Sequence, residues 1–69
     1  MDETEKLRVL LPHWIEHNGE HADEFRRYAP RAGVAGGKLL EAARLLAEAN
    51  VRLSEALDKL GGPLEYQHP

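Results

Sequence analysis

The stretch Pro12-His13-Trp14-Ile15-Glu16-His17-Asn18-Gly19-Glu20-His21 is the part of this sequence richest in groups that could do chemistry. On a helix, His13, His17 and His21 stand at i, i+4 and i+8 and share one face, each step rising about 6 Å. An i, i+4 histidine pair can chelate one divalent ion, because both rings reach the same point off the helix. Imidazole suits zinc, copper and nickel. Glu16, Glu20 and Glu24 form a parallel row, so Glu20, Glu24 or a carboxylate from a second chain could complete the shell. The candidate metal site is therefore His17 and His21, joined by His13, with Glu20 among the carboxylates that could complete it. The metallopeptidase pattern needs glutamate directly after its first histidine. Trp14 and Asn18 hold those places here, which removes the peptidase reading. Two further readings stand beside the metal one: surface histidines on an amphipathic helix, and an interface whose charge changes between about pH 5 and 8.

Other catalytic constellations fail on inspection. Ser54 is the only serine and has no adjacent base, so nucleophilic catalysis has no support. Gly33 to Gly37 is glycine-rich and Lys38 follows, but no Ser or Thr follows Lys38, as a phosphate loop requires. There is no cysteine, which excludes disulfides and thiolate metal sites. The expectation is a protein that is not an enzyme. Lys plus Arg total 9 against 12 Asp plus Glu, a formal charge of −3. With no basic face, nucleic acid is not an expected partner. No apolar run approaches the roughly 20 residues that span a bilayer, and the acidic opening Met1-Asp2-Glu3-Thr4-Glu5-Lys6 lacks the apolar core of a signal peptide. The expected setting is the cytoplasm, away from membranes. Arg26, Arg27 and Arg31 read as exposed helix arginines with a lesser claim to an anion. The acids and bases of the last long segment read as a solvated, ion-paired face.

The elements that must position these groups are helices. Residues 3–11 read as a short first helix, with Asp2 and Glu5 at capping-box spacing and Leu7, Leu10 and Leu11 on one face. Pro12 lacks an N–H and crowds the preceding turn, so it is expected to close this segment and open a second helix over residues 12–29. The seam of that helix is Ile15, Asn18, Ala22, Phe25 and Ala29, with Trp14, His21 and Tyr28 beside it at intervals of seven. Gly19 is a weak point, and Asn18-Gly19 is a possible turn. Residues 30–37 read as the connecting loop. A third helix over residues 38–60 carries the heptad seam Leu39, Ala43, Leu46, Asn50, Leu53, Leu57 and Leu60. Gly61-Gly62 caps it, Pro63 stops it, and residues 61–69 form a tail, loosely ordered from Leu64.

Two long helices and a short loop make an all-α antiparallel hairpin of one domain, here preceded by the short first helix. Asn18 lies sixteen residues before Val34 and Asn50 sixteen after it, so the two asparagines fall in one layer and can fix the register by pairing. A chain of 69 residues buries only about 60% of its unfolded surface. Leu40, Leu45 and Val51 fall off the seam, as do Trp14 and Tyr28. A homodimer forming a four-helix bundle would cover them, with Trp14, Tyr28, Leu40 and Val51 as interface residues. The short first segment folding back, or another protein, is the alternative cover.

The run Lys6-Leu7-Arg8-Val9-Leu10-Leu11-Pro12-His13-Trp14-Ile15-Glu16-His17-Asn18, then Glu20-His21-Ala22 and Phe25, resembles a small helical domain of unknown function. So do the later Leu-Leu, Glu-Ala-Asn and Lys-Leu-Gly-Gly pieces. That domain is associated with anaerobic bacteria and archaea, alone or fused to the nickel-binding accessory protein of carbon monoxide dehydrogenase maturation. The resemblance implies a small accessory protein, and nickel or zinc as the ion that His13, His17 and His21 would meet. Gly19 departs from the acidic residue of the pattern, as does the Pro- and Gly-rich loop, which loosens the helix around the histidines. Without the metal, the same sequence reads as a self-associating structural or protein-interaction module.

Overall fold

The computed structural model describes residues 1–64. Helix α1 spans Glu3–Tyr28 and helix α2 spans Gly36–Lys59, joined by 3-10 turns at Ala29–Arg31 and Gly33–Ala35. The helices lie antiparallel, since Arg8 meets Gly62 at one end while Asn18 meets Asn50 midway. The all-α hairpin expected from the two heptad seams is thus the observed architecture.

α1 starts as its sequence dictates. The Asp2 carboxylate accepts from the Glu5 backbone N–H at 2.8 Å, and the Glu5 carboxylate accepts from the Asp2 N–H at 3.3 Å. This reciprocal box satisfies two otherwise orphaned donors. Glu3 and Glu5 in the first turn, and Arg26 and Arg27 in the last, complement the helix dipole.

The expected break at Pro12 does not occur. Residues 3–11 are not a separate helix; they are the opening turns of α1, which runs through Pro12. Two observations explain it. The seam keeps its phase across the proline, with Arg8 half-buried, Leu11 only 4% exposed and Ile15 half-buried. The hydrogen bond that Pro12 cannot give would have gone to the Arg8 carbonyl. That carbonyl instead accepts from the Leu64 backbone N–H at 3.3 Å. The chain beyond α2 therefore repairs the gap that the proline leaves. The Arg8 side chain completes the clasp, donating from Nε to the Gly62 carbonyl at 2.7 Å and from Nη2 to the Gly61 carbonyl at 3.4 Å. α1 also continues through Asn18-Gly19 without a turn.

The connecting segment is more ordered than a free loop, and α2 begins at Gly36 rather than at residue 38. Gly33 takes a positive φ of 56°, a conformation glycine adopts without strain. Gly36 is needed for closeness: a Cβ there would lie 2.5 Å from the Ala29 carbonyl oxygen. At its far end α2 closes with a Schellman cap. Gly62 N–H donates to the Leu57 carbonyl at 2.9 Å and Gly61 N–H to the Asp58 carbonyl at 3.1 Å, with both glycines at positive φ. The expected tail is pinned as far as Leu64; the rest of it lies outside the described residues.

The core is thin. The buried apolar residues are Leu11, Ala22, Ala29, Ala43 and Leu57, three of them alanines. Ile15, Phe25, Leu39, Leu46 and Leu53 on the two seams are half-buried. The Cα radius of gyration is 15.3 Å, against about 11 Å for a compact chain of this length. Among the described residues no third element lies over the faces of this two-helix layer.

Candidate functional site

Asn18 and Asn50 meet in the middle of the seam, as the symmetric count about Val34 implies. Asn18 Nδ2 donates to Asn50 Oδ1 at 3.1 Å, and Asn50 Nδ2 donates to the Ile15 carbonyl at 3.0 Å. Both are half-buried. A one-heptad slip would leave these polar groups facing apolar residues, Leu57 and Phe25 in one direction or Ala43 and Leu11 in the other, so the pair fixes the register. Both asparagines are engaged in holding the hairpin.

The histidines are on the outer face. His13, His17 and His21 are all exposed, as is Glu20. The His13 and His17 rings stand 4.6 Å apart between centroids, at an interplanar angle of 62°. His17 and His21 are farther apart, at 6.3 Å. His21 has neighbours of its own: its ring lies 6.4 Å from that of Phe25 at an angle of 26°, and its Nδ1 is 3.3 Å from Glu24 Oε1. Among the described residues, no three His, Asp or Glu side chains gather closely enough to hold a metal ion. The row His13, His17, His21 and Glu20 is therefore brought together as neighbours on one face and not as one converging shell. Its closest pair is His13 with His17.

Beside the histidines runs an apolar stripe. Trp14 is 42% exposed and Tyr28 54%. Because α1 is continuous, the spacing of seven extends back across Pro12, and Leu7, Trp14, His21 and Tyr28 form one line along the helix. Each seventh residue returns to within about 20° of the same direction. Leu7 and Leu10, also exposed, belong to this flank. Sequence reasoning misses this extension, because proline's local rule ends a helix at Pro12. The signal that could have found it was the unbroken spacing of sevens.

On α2, Leu40, Leu45 and Val51 are each about half exposed. At about 100° per residue, Leu40 and Val51 flank the α2 seam on one side and Leu45 on the other. The interface candidates Trp14, Tyr28, Leu40 and Val51 are thus all uncovered, and they sit on more than one face. The outermost surface of α2 is ion-paired within the helix, through Lys38–Glu41, Arg44–Glu48 and Arg52–Glu55. On α1, Arg26 pairs with Asp23 at 3.0 Å, and the Arg31 guanidinium lies 5.7 Å from the centre of the Tyr28 ring. Among the described residues no cavity opens in the hairpin, and no helix is long and apolar enough to cross a membrane.

Comparison with known proteins gives a family without an assigned activity. Residues 7–60 match the family described as a domain of unknown function, DUF8180. An uncharacterized protein of Archaeoglobus fulgidus is 38% identical over 61 residues, covering 83% of this chain and 98% of its own length. No solved structure matches the chain.

Proposed function

We propose that this chain, which belongs to the DUF8180 family, acts by binding and not by catalysis, as a helical interaction module whose hairpin pairs with a second copy. The observation that carries this reading is the imbalance between what the hairpin buries and what it leaves open. Among the described residues five apolar side chains are buried, three of them alanine, while Leu7, Leu10, Trp14, Tyr28, Leu40, Leu45 and Val51 remain exposed. Patches of exposed large apolar residues are commonly interaction surfaces, and aromatic residues such as Trp and Tyr are favoured anchors within them. A homodimer completing a four-helix bundle gives each helix two apolar neighbours, which suits stripes lying on both sides of the seams. Such a dimer also answers the marginal burial of so short a chain.

Sedimentation equilibrium of the wild-type chain and of Trp14→Asp tests this. The expected result is a wild-type dimer at micromolar concentration and a monomer for the variant. A wild-type monomer throughout the micromolar range would refute the self-association reading and leave a different protein as the occupant of the flank.

A second reading has its own observation, the histidine row with His13 and His17 rings 4.6 Å apart. In it the module is an accessory protein that binds a transition metal, nickel or zinc, through His13, His17, His21 and Glu20. The resemblance to a domain fused to a nickel-binding accessory protein points to nickel among these. Because no three of these groups gather, the shell would take its remaining donors from water or from a second chain. The cytoplasm is the compartment this reading assumes.

A further inference from the structure

We propose that His13 and His17 alone form a two-histidine chelating site for a divalent transition metal, with His21 outside it. This rests on the metal reading above and narrows it; it is independent of self-association.

The argument is geometric. A metal ion lies about 2.1 Å from a ligating imidazole nitrogen, and hence roughly 3.2 Å from the ring centroid. Two imidazoles in adjacent coordination positions, at an angle of about 90–110°, therefore hold their centroids roughly 4.5–5.2 Å apart. The His13–His17 separation of 4.6 Å falls in that window, near its right-angled end. The His17–His21 separation of 6.3 Å falls outside it. To share an ion at that distance the two rings would have to sit almost opposite one another across the metal. Successive turns of one helix face do not offer that arrangement, because both side chains leave the helix on the same side.

His21 is held by its own neighbours as well. Its Nδ1 contacts the Glu24 carboxylate and its ring lies over Phe25. Moving it toward His17 would give up both contacts. His13 and His17 are exposed, so their rings can turn a nitrogen to a common point without displacing anything packed. The backbone beneath them is continuous α-helix, so the two anchor points are rigidly spaced. Two imidazoles leave the other coordination positions to water or to an incoming donor. Near-right-angled positions belong to tetragonal or octahedral ions, and copper(II) stands highest in affinity for nitrogen donors among the first-row divalent ions. Copper(II) is therefore the sharpest probe of the site.

The test is a titration of the chelator-treated, tag-free full chain with copper(II) at neutral pH. It is read by calorimetry and by electron paramagnetic resonance, with helicity checked by circular dichroism. The variants are His13→Ala, His17→Ala, His21→Ala and, as a control for the remaining histidine, His68→Ala. The expected result is one copper per chain with a tetragonal two-nitrogen spectrum. His13→Ala and His17→Ala should each weaken binding on the order of tenfold or more, while His21→Ala and His68→Ala bind as the wild type does. Loss in His17→Ala and His21→Ala with retention in His13→Ala would overturn the assignment while keeping a metal site on the row. Binding no tighter in the wild type than in His17→Ala would overturn both the assignment and the metal reading.

Discussion

Two stripes run along α1 with the same seven-residue repeat. One passes through Leu11, Asn18 and Phe25, with Ile15, Ala22 and Ala29 interleaved, and faces α2. The other passes through Leu7, Trp14, His21 and Tyr28 and is turned away from α2, its large side chains partly open. On the first, small residues let the backbones close, polar groups are paired, and the ends are tied by the Ala29–Gly36 approach and by the Arg8 clasp. On the second, large side chains that could fill space remain half exposed. The difference teaches that the hairpin's own closure consumes its small residues and its asparagines. Trp14 and Tyr28, on the other stripe, are left open.

The comparison can be broken from the seam side. Gly36→Ala should have the largest effect on folding. The added Cβ meets a backbone oxygen, which cannot swing away as a side chain could. The expected loss is about 2–3 kcal/mol, the upper part of the range for overpacked cores, read as a lower midpoint in urea unfolding. Asn50→Ala comes next. It removes the acceptor for Asn18 and the donor to Ile15, and should cost about 1–2 kcal/mol. Replacing Asn18 and Asn50 together by leucine should recover most of that stability but lose uniqueness of register, seen as broadened amide resonances. A double-leucine variant with sharp, wild-type-like spectra would show that the pair does not specify the register. Gly19→Ala is the smallest change and has the opposite sign. A Cβ at Gly19 meets nothing within 4 Å, so removing glycine's entropy cost should stabilise α1 by about 1 kcal/mol.

How far the fold was legible can be argued from particular residues. Asn18 and Asn50 were found from position alone, because a heptad stripe with a single polar exception on each helix admits few registers. The Asp2–Glu5 box and the Gly61-Gly62 cap were legible because each is a local device whose spacing is its geometry. Pro12 was misjudged because proline's local rule was applied without the tertiary partner that relieves it. Nothing near Pro12 in sequence announces that Leu64 would take up the Arg8 carbonyl. The histidine row was legible as a face, since i, i+4 spacing settles that on any helix. Which two of its members stand closest was not. That depends on rotamers, and the Glu24 and Phe25 contacts of His21 decide them. The reach of the apolar flank to Leu7 was hidden by the same misjudged proline.

The most direct test of the account uses Trp14, the only tryptophan in the chain, as its own reporter. Quenching of its fluorescence by acrylamide would be followed while the wild-type protein is diluted from millimolar to nanomolar concentration. If the flank of α1 pairs with a second copy, Trp14 is shielded at high concentration and becomes quenchable as the dimer dissociates, with Tyr28→Asp shifting that transition to higher concentration. If Trp14 is freely quenched at every concentration and Tyr28→Asp changes nothing, the flank does not pair with itself, and the central claim is wrong.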